Sequence, residues 1–182
     1  MRQLKLFLNL AIFFFSFHAA AEWGPLLGIS GYQGDYSAGA SYRSYLQRHA
    51  VDLSLGVSTG IHDQEVYQLN AKYIYSPFQW MLPKLATNIV GFGVLAARCL
   101  CEETFTKSLN IYPEENYYDE TAYRFGLVLS TNVQLKEVEF YWEWVLLDQI
   151  GIATYNNPDM QSDPFEYWSA GIGIRYFGEW FE

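Results

Sequence analysis

Along much of the chain, apolar and polar side chains alternate one by one. In Val51–Ser58 the odd positions Val51, Leu53, Leu55 and Val57 are aliphatic, and the even ones are small or polar. Tyr67, Leu69, Ala71, Tyr73 and Tyr75 alternate with Gln68, Asn70, Lys72 and Ile74. Tyr123, Phe125, Leu127 and Leu129 alternate with Arg124, Gly126, Val128 and Ser130. Val138, Phe140, Trp142, Trp144 and Leu146 alternate with Glu139, Tyr141, Glu143 and Val145. Trp168, Ala170, Ile172, Ile174 and Tyr176 alternate with Ser169, Gly171, Gly173 and Arg175. A period of two puts alternate side chains on opposite faces of a strand, so each stretch predicts a strand with one apolar face.

Three weaker stretches complete the set. Leu27 and Ile29 alternate with Gly28 and Ser30; Tyr36, Ala38, Ala40 and Tyr42 alternate with Ser37, Gly39, Ser41 and Arg43. Residues 89–97 are apolar on both faces, with Val90, Phe92, Val94 and Ala96 on one side and Gly91 and Gly93 on the other. This predicts a strand whose inner side is small, and it carries Arg98 onto the apolar phase, a conflict unless the strand has left the apolar region by then. The total is eight, an even number that lets an antiparallel sheet close on itself. Links at 33–35, 61–65, 100–120 and 150–165 would lie at one end. Those at 45–49, 77–86 and 131–136 would lie at the other, where the Pro77–Pro83 turn is long for its place.

The polarity of the two phases decides the solvent. The apolar phase holds Leu, Ile, Tyr and Trp; the other holds Gly, Ser and the charges Arg43, Asp52, Lys72, Arg124, Glu139, Glu143 and Arg175. Seven charges would crowd the core of a water-soluble barrel. Enclosed in a narrow lumen and matched against each other they are tolerable, because an unpartnered buried ion costs several kcal/mol. Lipid offers an open sheet edge no hydrogen-bond partner, which again favours closure. The expected fold is all-β: an eight-stranded antiparallel up-and-down transmembrane β-barrel. Tyr73, Tyr75, Trp142, Trp144, Trp168, Tyr176 and Trp180 are the candidate interfacial aromatics, since amphipathic rings prefer the headgroup level.

The first residues are read separately. Arg2 and Lys5 precede an apolar run, Leu6–Phe17, and Ala19-Ala20-Ala21 follows as a small-x-small cleavage pattern. Residues 1–21 are read as a cleaved signal peptide and 22–182 as one barrel domain. A twelve-residue helix spans roughly 18 Å, short of a bilayer core of about 30 Å. The formal charge of the whole chain is −9, and losing Arg2 and Lys5 makes it more negative. With no cluster of Lys and Arg, nucleic acid is excluded as a partner.

The segment Trp168-Ser-Ala-Gly-Ile-Gly-Ile-Arg-Tyr176-Phe177 resembles the last strand of Gram-negative outer-membrane proteins, apolar at every second place up to a terminal aromatic. Over roughly residues 22–177 the chain resembles the small eight-stranded outer-membrane barrels of the OmpA and OmpX type. The resemblance is architectural. It implies outer-membrane localisation, insertion by the barrel-assembly machinery, and contact with outer-membrane lipid and lipopolysaccharide. It departs at the tail Gly178–Glu182, where Glu182 follows Phe181.

Candidate chemistry is sparse. The lipid A 3-O-deacylases among small barrels use a late His-x-Ser with a carboxylate partner; after residue 21 this chain has His49 and His62, and neither belongs to such a motif. Ser58 and His62 share a phase near Asp63 and Glu65, but four strand positions separate them by about 13 Å. A loop bend, or Ser169 from the last strand, would have to complete a nucleophilic site. Cys99 and Cys101 lie two positions apart; an extended backbone would hold their Cα atoms near or beyond a limit of about 6.8 Å, so free or intermolecularly paired thiols are expected, and a bridge between the two would need a locally bent backbone. No dedicated metal-ligand spacing occurs, and neither a cofactor nor a metal is expected. The expected role is structural or one of surface interaction through loops 100–120 and 150–165, in adhesion or envelope integrity, without catalysis. The alternative is a lipid A-modifying acyl hydrolase.

Overall fold

The computed structural model describes residues 22–30, 32–44, 48–59, 65–82, 85–100, 122–148 and 168–178. Eight strands follow in order: β1 (Glu22–Ser30), β2 (Gly34–Arg43), β3 (His49–Thr59), β4 (Glu65–Leu82), β5 (Leu85–Cys99), β6 (Tyr123–Leu135), β7 (Val138–Leu147) and β8 (Trp168–Tyr176). Each pairs antiparallel with its sequence neighbour, and β1 pairs with β8 from Leu26↔Arg175 to Ser30↔Gly171. The result is a closed up-and-down barrel. Closure leaves no free edge along the shared length of the strands, as a wall surrounded by hydrocarbon requires.

One end, the terminal end, carries the start of β1, the end of β8 and the connections β2–β3, β4–β5 and β6–β7. The opposite, loop end carries the stretches between β3 and β4, β5 and β6, and β7 and β8. Two connections at the terminal end are tighter than the sequence pattern predicts. Strand β4 runs through Pro77 to Leu82 and β5 starts at Leu85, so most of the expected 77–86 turn is strand. Proline is tolerated because β4 outruns β3: the β3–β4 register ends at His49↔Tyr75, and Pro77 falls in a register shift of the β4–β5 ladder. A residue without an N–H is at home on such an unpaired, bulged stretch.

The expected 131–136 link is also strand. Val133 and Leu135 point out while Asn132 and Gln134 are buried, and β6 continues to Leu135. It turns into β7 over Lys136 and Glu137, with Lys136 at φ 55°. The strand at residues 89–97 differs in content: its inner side carries Leu95, which is buried with Val128, Val145 and Leu147 in an apolar cluster against Tyr32. The lumen is therefore apolar toward the loop end on the β5–β7 side, and not lined there by small residues alone.

The polarity of the wall is inverted relative to a water-soluble protein. Leu27, Tyr36, Phe78, Trp80, Phe125 and Leu127 are among many large apolar side chains that point outward, Leu127 with 64% of its surface exposed. Inside, Arg43, Asp52, Lys72, Glu139, Glu143 and Arg175 are buried. Leaving one such apolar side chain in water forgoes roughly 1.5–3 kcal/mol. A continuous belt of them exceeds any patch a soluble monomer normally exposes. The solvent of this wall is lipid.

Candidate functional site

The lumen is closed by a chain of ions drawn from five strands. Strand β2 ends on Arg43, β3 contributes Asp52, β4 Lys72, β7 Glu139 and Glu143, and β8 Arg175. Each sits on the inward phase of its strand, so period two alone aims all six at the axis. Arg43 donates to Glu139 at 2.5 Å, and Arg175 also pairs with Glu139. Arg175 reaches on to Asp52, with Nε and Nη2 at 3.1 and 2.6 Å from its two oxygens. Lys72 lies 3.1 Å from Asp52 and 2.5 Å from Glu143. The Gln33 side-chain amide donates to the other Glu143 oxygen, and the Ser41 hydroxyl donates to Asp52 at 2.6 Å.

Each carboxylate thus meets at least one cation, and Asp52 and Glu139 meet two. The alternation of sign matters because desolvating a single ion costs several kcal/mol, which only close, hydrogen-bonded opposite charges offset. The Tyr141 ring adds to this, with Arg175 4.0 Å and Lys72 4.9 Å from its centroid. It fits only because Gly173 and Gly28 face it: a Cβ on Gly173 would overlap the ring and its hydroxyl. At the terminal end the Arg43 guanidinium lies 5.3 Å from the Phe177 ring centroid.

Arg124 takes part in none of these pairs. It is half-buried nearer the loop end, within electrostatic reach of the Tyr32 hydroxyl. Gln33, Ser41 and Tyr141 complete the plug without having been singled out by sequence. Ser41 and Tyr141 lie on the inward phase, a signal that was available, whereas Gln33 enters from a turn.

Outside, Trp168 points outward at the start of β8, and Tyr73 and Tyr75 point outward midway along β4, beside His49 at the start of β3. The His49 ring and the Tyr73 hydroxyl are 2.8 Å apart. Trp23 and Tyr42 extend this band, edge to face with centroids 5.1 Å apart. Trp142 and Trp144 are exposed midway along β7, 4.8 Å from each other. Tyr176 is half-buried and donates its hydroxyl to Glu137 at 2.9 Å. Trp180 lies outside the described residues.

For the nucleophilic alternative, Ser58 pairs with Val66 on β3 and Ser169 with Val145 on β8. Strands β1 and β2 separate those serines, and Glu65 accepts the Tyr67 hydroxyl. His62 and Asp63 lie outside the described residues, as do most of links 100–120 and 150–165. Cys99 is disulfide-bonded, which corrects the expectation of free thiols. Among the described residues no three His, Cys, Asp or Glu side chains converge as metal ligands would.

No protein-family model matches the chain, and no curated protein does. Among solved structures it is similar to the N-terminal β-barrel domain of Pseudomonas aeruginosa OprF. That match has 12% identity over 86% of this chain and 95% of the other, with a TM-score of 0.42.

Proposed function

We propose that this chain is an integral outer-membrane barrel with a structural or surface-interaction role, and that it performs no catalysis. The observation that carries the reading is the inverted wall: an apolar exterior around a lumen shut by paired ions. A barrel of eight strands has an interior only wide enough for its own side chains, and here those side chains are bonded to each other across the axis. Such a body offers neither an aqueous path nor an internal cleft for a substrate. It offers a rigid anchor that fixes the ends of the loop-end connections.

In this reading the loop end faces outward, because longer connections are extracellular and short turns periplasmic in barrels of this kind. Loops 100–120 and 150–165 are then the surface for a ligand, and outer-membrane lipid and lipopolysaccharide surround the belt. The signal peptide at 1–21 and the barrel-assembly machinery belong to the route of insertion. Fractionation combined with gel mobility before and after boiling tests the reading. The protein is expected in the outer-membrane fraction, with a folded band that shifts on heating. Recovery in the soluble fraction, or a band unmoved by heat, refutes it. Mass spectrometry of lipid A from cells with and without the protein is expected to show identical acylation; a lost acyl chain would favour the hydrolase.

A further inference from the structure

We propose that the loop end of β5 carries a lipid site, in which Arg98 holds the phosphate of an anionic membrane lipid and a groove in the outer wall holds one acyl chain. The inference rests on the membrane reading above and adds a specific place and ligand chemistry to it.

Among the described residues, Arg98 is the one Lys or Arg that points outward from a strand; the other strand cations face the lumen. It stands one residue from the end of β5, between Leu69 of β4 and Tyr123 of β6. Among the described residues it has no carboxylate partner. The outward carboxylate nearest along β4 is Glu65, four positions beyond Leu69, or about 13 Å, and it accepts the Tyr67 hydroxyl. The Arg98 guanidinium instead lies 5.5 Å from the Tyr123 ring centroid. A guanidinium over a ring face keeps its in-plane N–H donors free, and that planar fork matches a phosphate. The cation is thus held against the ring and, among the described residues, meets no counter-ion.

Below it lies a groove of about 520 Å³. Its upper bank is one cross-strand row in register, Leu55–Leu69–Arg98. Its lower bank is the row Leu53–Ala71–Ala96. Between them runs the backbone of Gly39, Ser54, Asn70 and Ala97, whose own side chains belong to the inward phase. Two outward rows on a strand are separated by about 6.6 Å, and Ala71 and Ala96 on the lower bank end at Cβ, so the channel is broad enough for an unbranched chain. The banks present hydrocarbon throughout, except at Arg98. An occupant must therefore be apolar along the groove and negatively charged at its β5 end. In a bilayer that description selects a lipid with an uncompensated phosphate.

The test uses the purified full chain in dodecyl maltoside, titrated with dimyristoyl phosphatidylglycerol and followed by native mass spectrometry. Phosphatidylcholine with the same chains, whose phosphate is balanced by its own cation, is the comparison. The wild type is expected to retain one phosphatidylglycerol at about tenfold lower concentration than phosphatidylcholine, the size of one charge-assisted contact. Arg98→Gln abolishes the preference, and Arg98→Lys keeps part of it because the charge stays while the fork is lost. Ala71→Trp fills the groove and weakens both lipids, whereas Ala170→Trp on β8, equally outward, changes neither. Heat-shifted mobility of each variant, read on the same samples, verifies a closed barrel. Equal binding of the two lipids by a wild type that shifts on heating overturns the site and leaves the membrane reading intact. So does phosphatidylglycerol preference in folded Arg98→Gln or unchanged binding in folded Ala71→Trp. A wild type that shows no heat shift overturns the membrane reading itself.

Discussion

Replacing Glu139 by Gln should destabilise the barrel strongly, and a second replacement should partly repair it. Glu139 is fully buried and joins Arg43 to Arg175. Its removal affects the two arginines unequally. Arg175 keeps both oxygens of Asp52, at 3.1 and 2.6 Å. Arg43 loses its ion-pair partner and is left 2% exposed against the Phe177 ring. Breaking a buried pair by removing one member costs about 3–5 kcal/mol, mostly through the charge left behind. Taking that charge away as well, in Arg43→Met with Glu139→Gln, should recover about 1–3 kcal/mol of the loss, since an apolar side chain of similar length replaces a stranded ion. The assay is urea unfolding in lipid vesicles, read by tryptophan emission and by the heat-shifted band, on wild type, both single variants and the double. The reasoning fails if Glu139→Gln stays within about 1 kcal/mol of wild type, as a solvated surface pair would, or if the double variant is less stable than Glu139→Gln alone.

Further tests address the wall and its turns. Leu127→Arg places a charge on the exposed face of β6 and should cost about 2–4 kcal/mol in vesicles, whereas Leu135→Arg, beside the terminal-end turn, should cost about 0–1 kcal/mol; equal costs would refute the lipid belt. Gly173→Ala should cost about 1–3 kcal/mol by overpacking against Tyr141, and Tyr141→Leu in the same chain should recover part of it; the same unfolding titration decides. Lys136→Gly should stabilise by about 0.5–1 kcal/mol, because the left-handed backbone at this turn costs a side-chain-bearing residue roughly 1–2 kcal/mol. Planar-bilayer recordings of the wild type should show no sustained conductance, and a steady open pore would refute the closed lumen.

Much of this architecture is written in single-residue alternation. A strand's side chains change face at every step, so the choice at Glu139, Glu143 and Arg175 against Phe140, Trp142 and Ile174 assigns an inside and an outside before any pairing is known. That is why strand count, closure and the outward placement of Arg98 could be read from the chain. Boundaries were less legible. Pro77 reads as a breaker by its chemistry, and only the stagger between β3 and β4 shows that it falls where no N–H is required. Cys99 shows the same limit, since spacing along the chain did not decide that its thiol is paired.

What sequence could not convey is which inward residues meet. Arg43, Arg124 and Arg175 share the same phase, yet two of them join Glu139 and the third lies apart toward the loop end. Contact in the lumen depends on the register and stagger of strands distant in sequence, and on the room that glycines leave for Tyr141. Local pattern sets the direction of each side chain; its level along the axis, and so its partner, follows only from how the whole sheet closes.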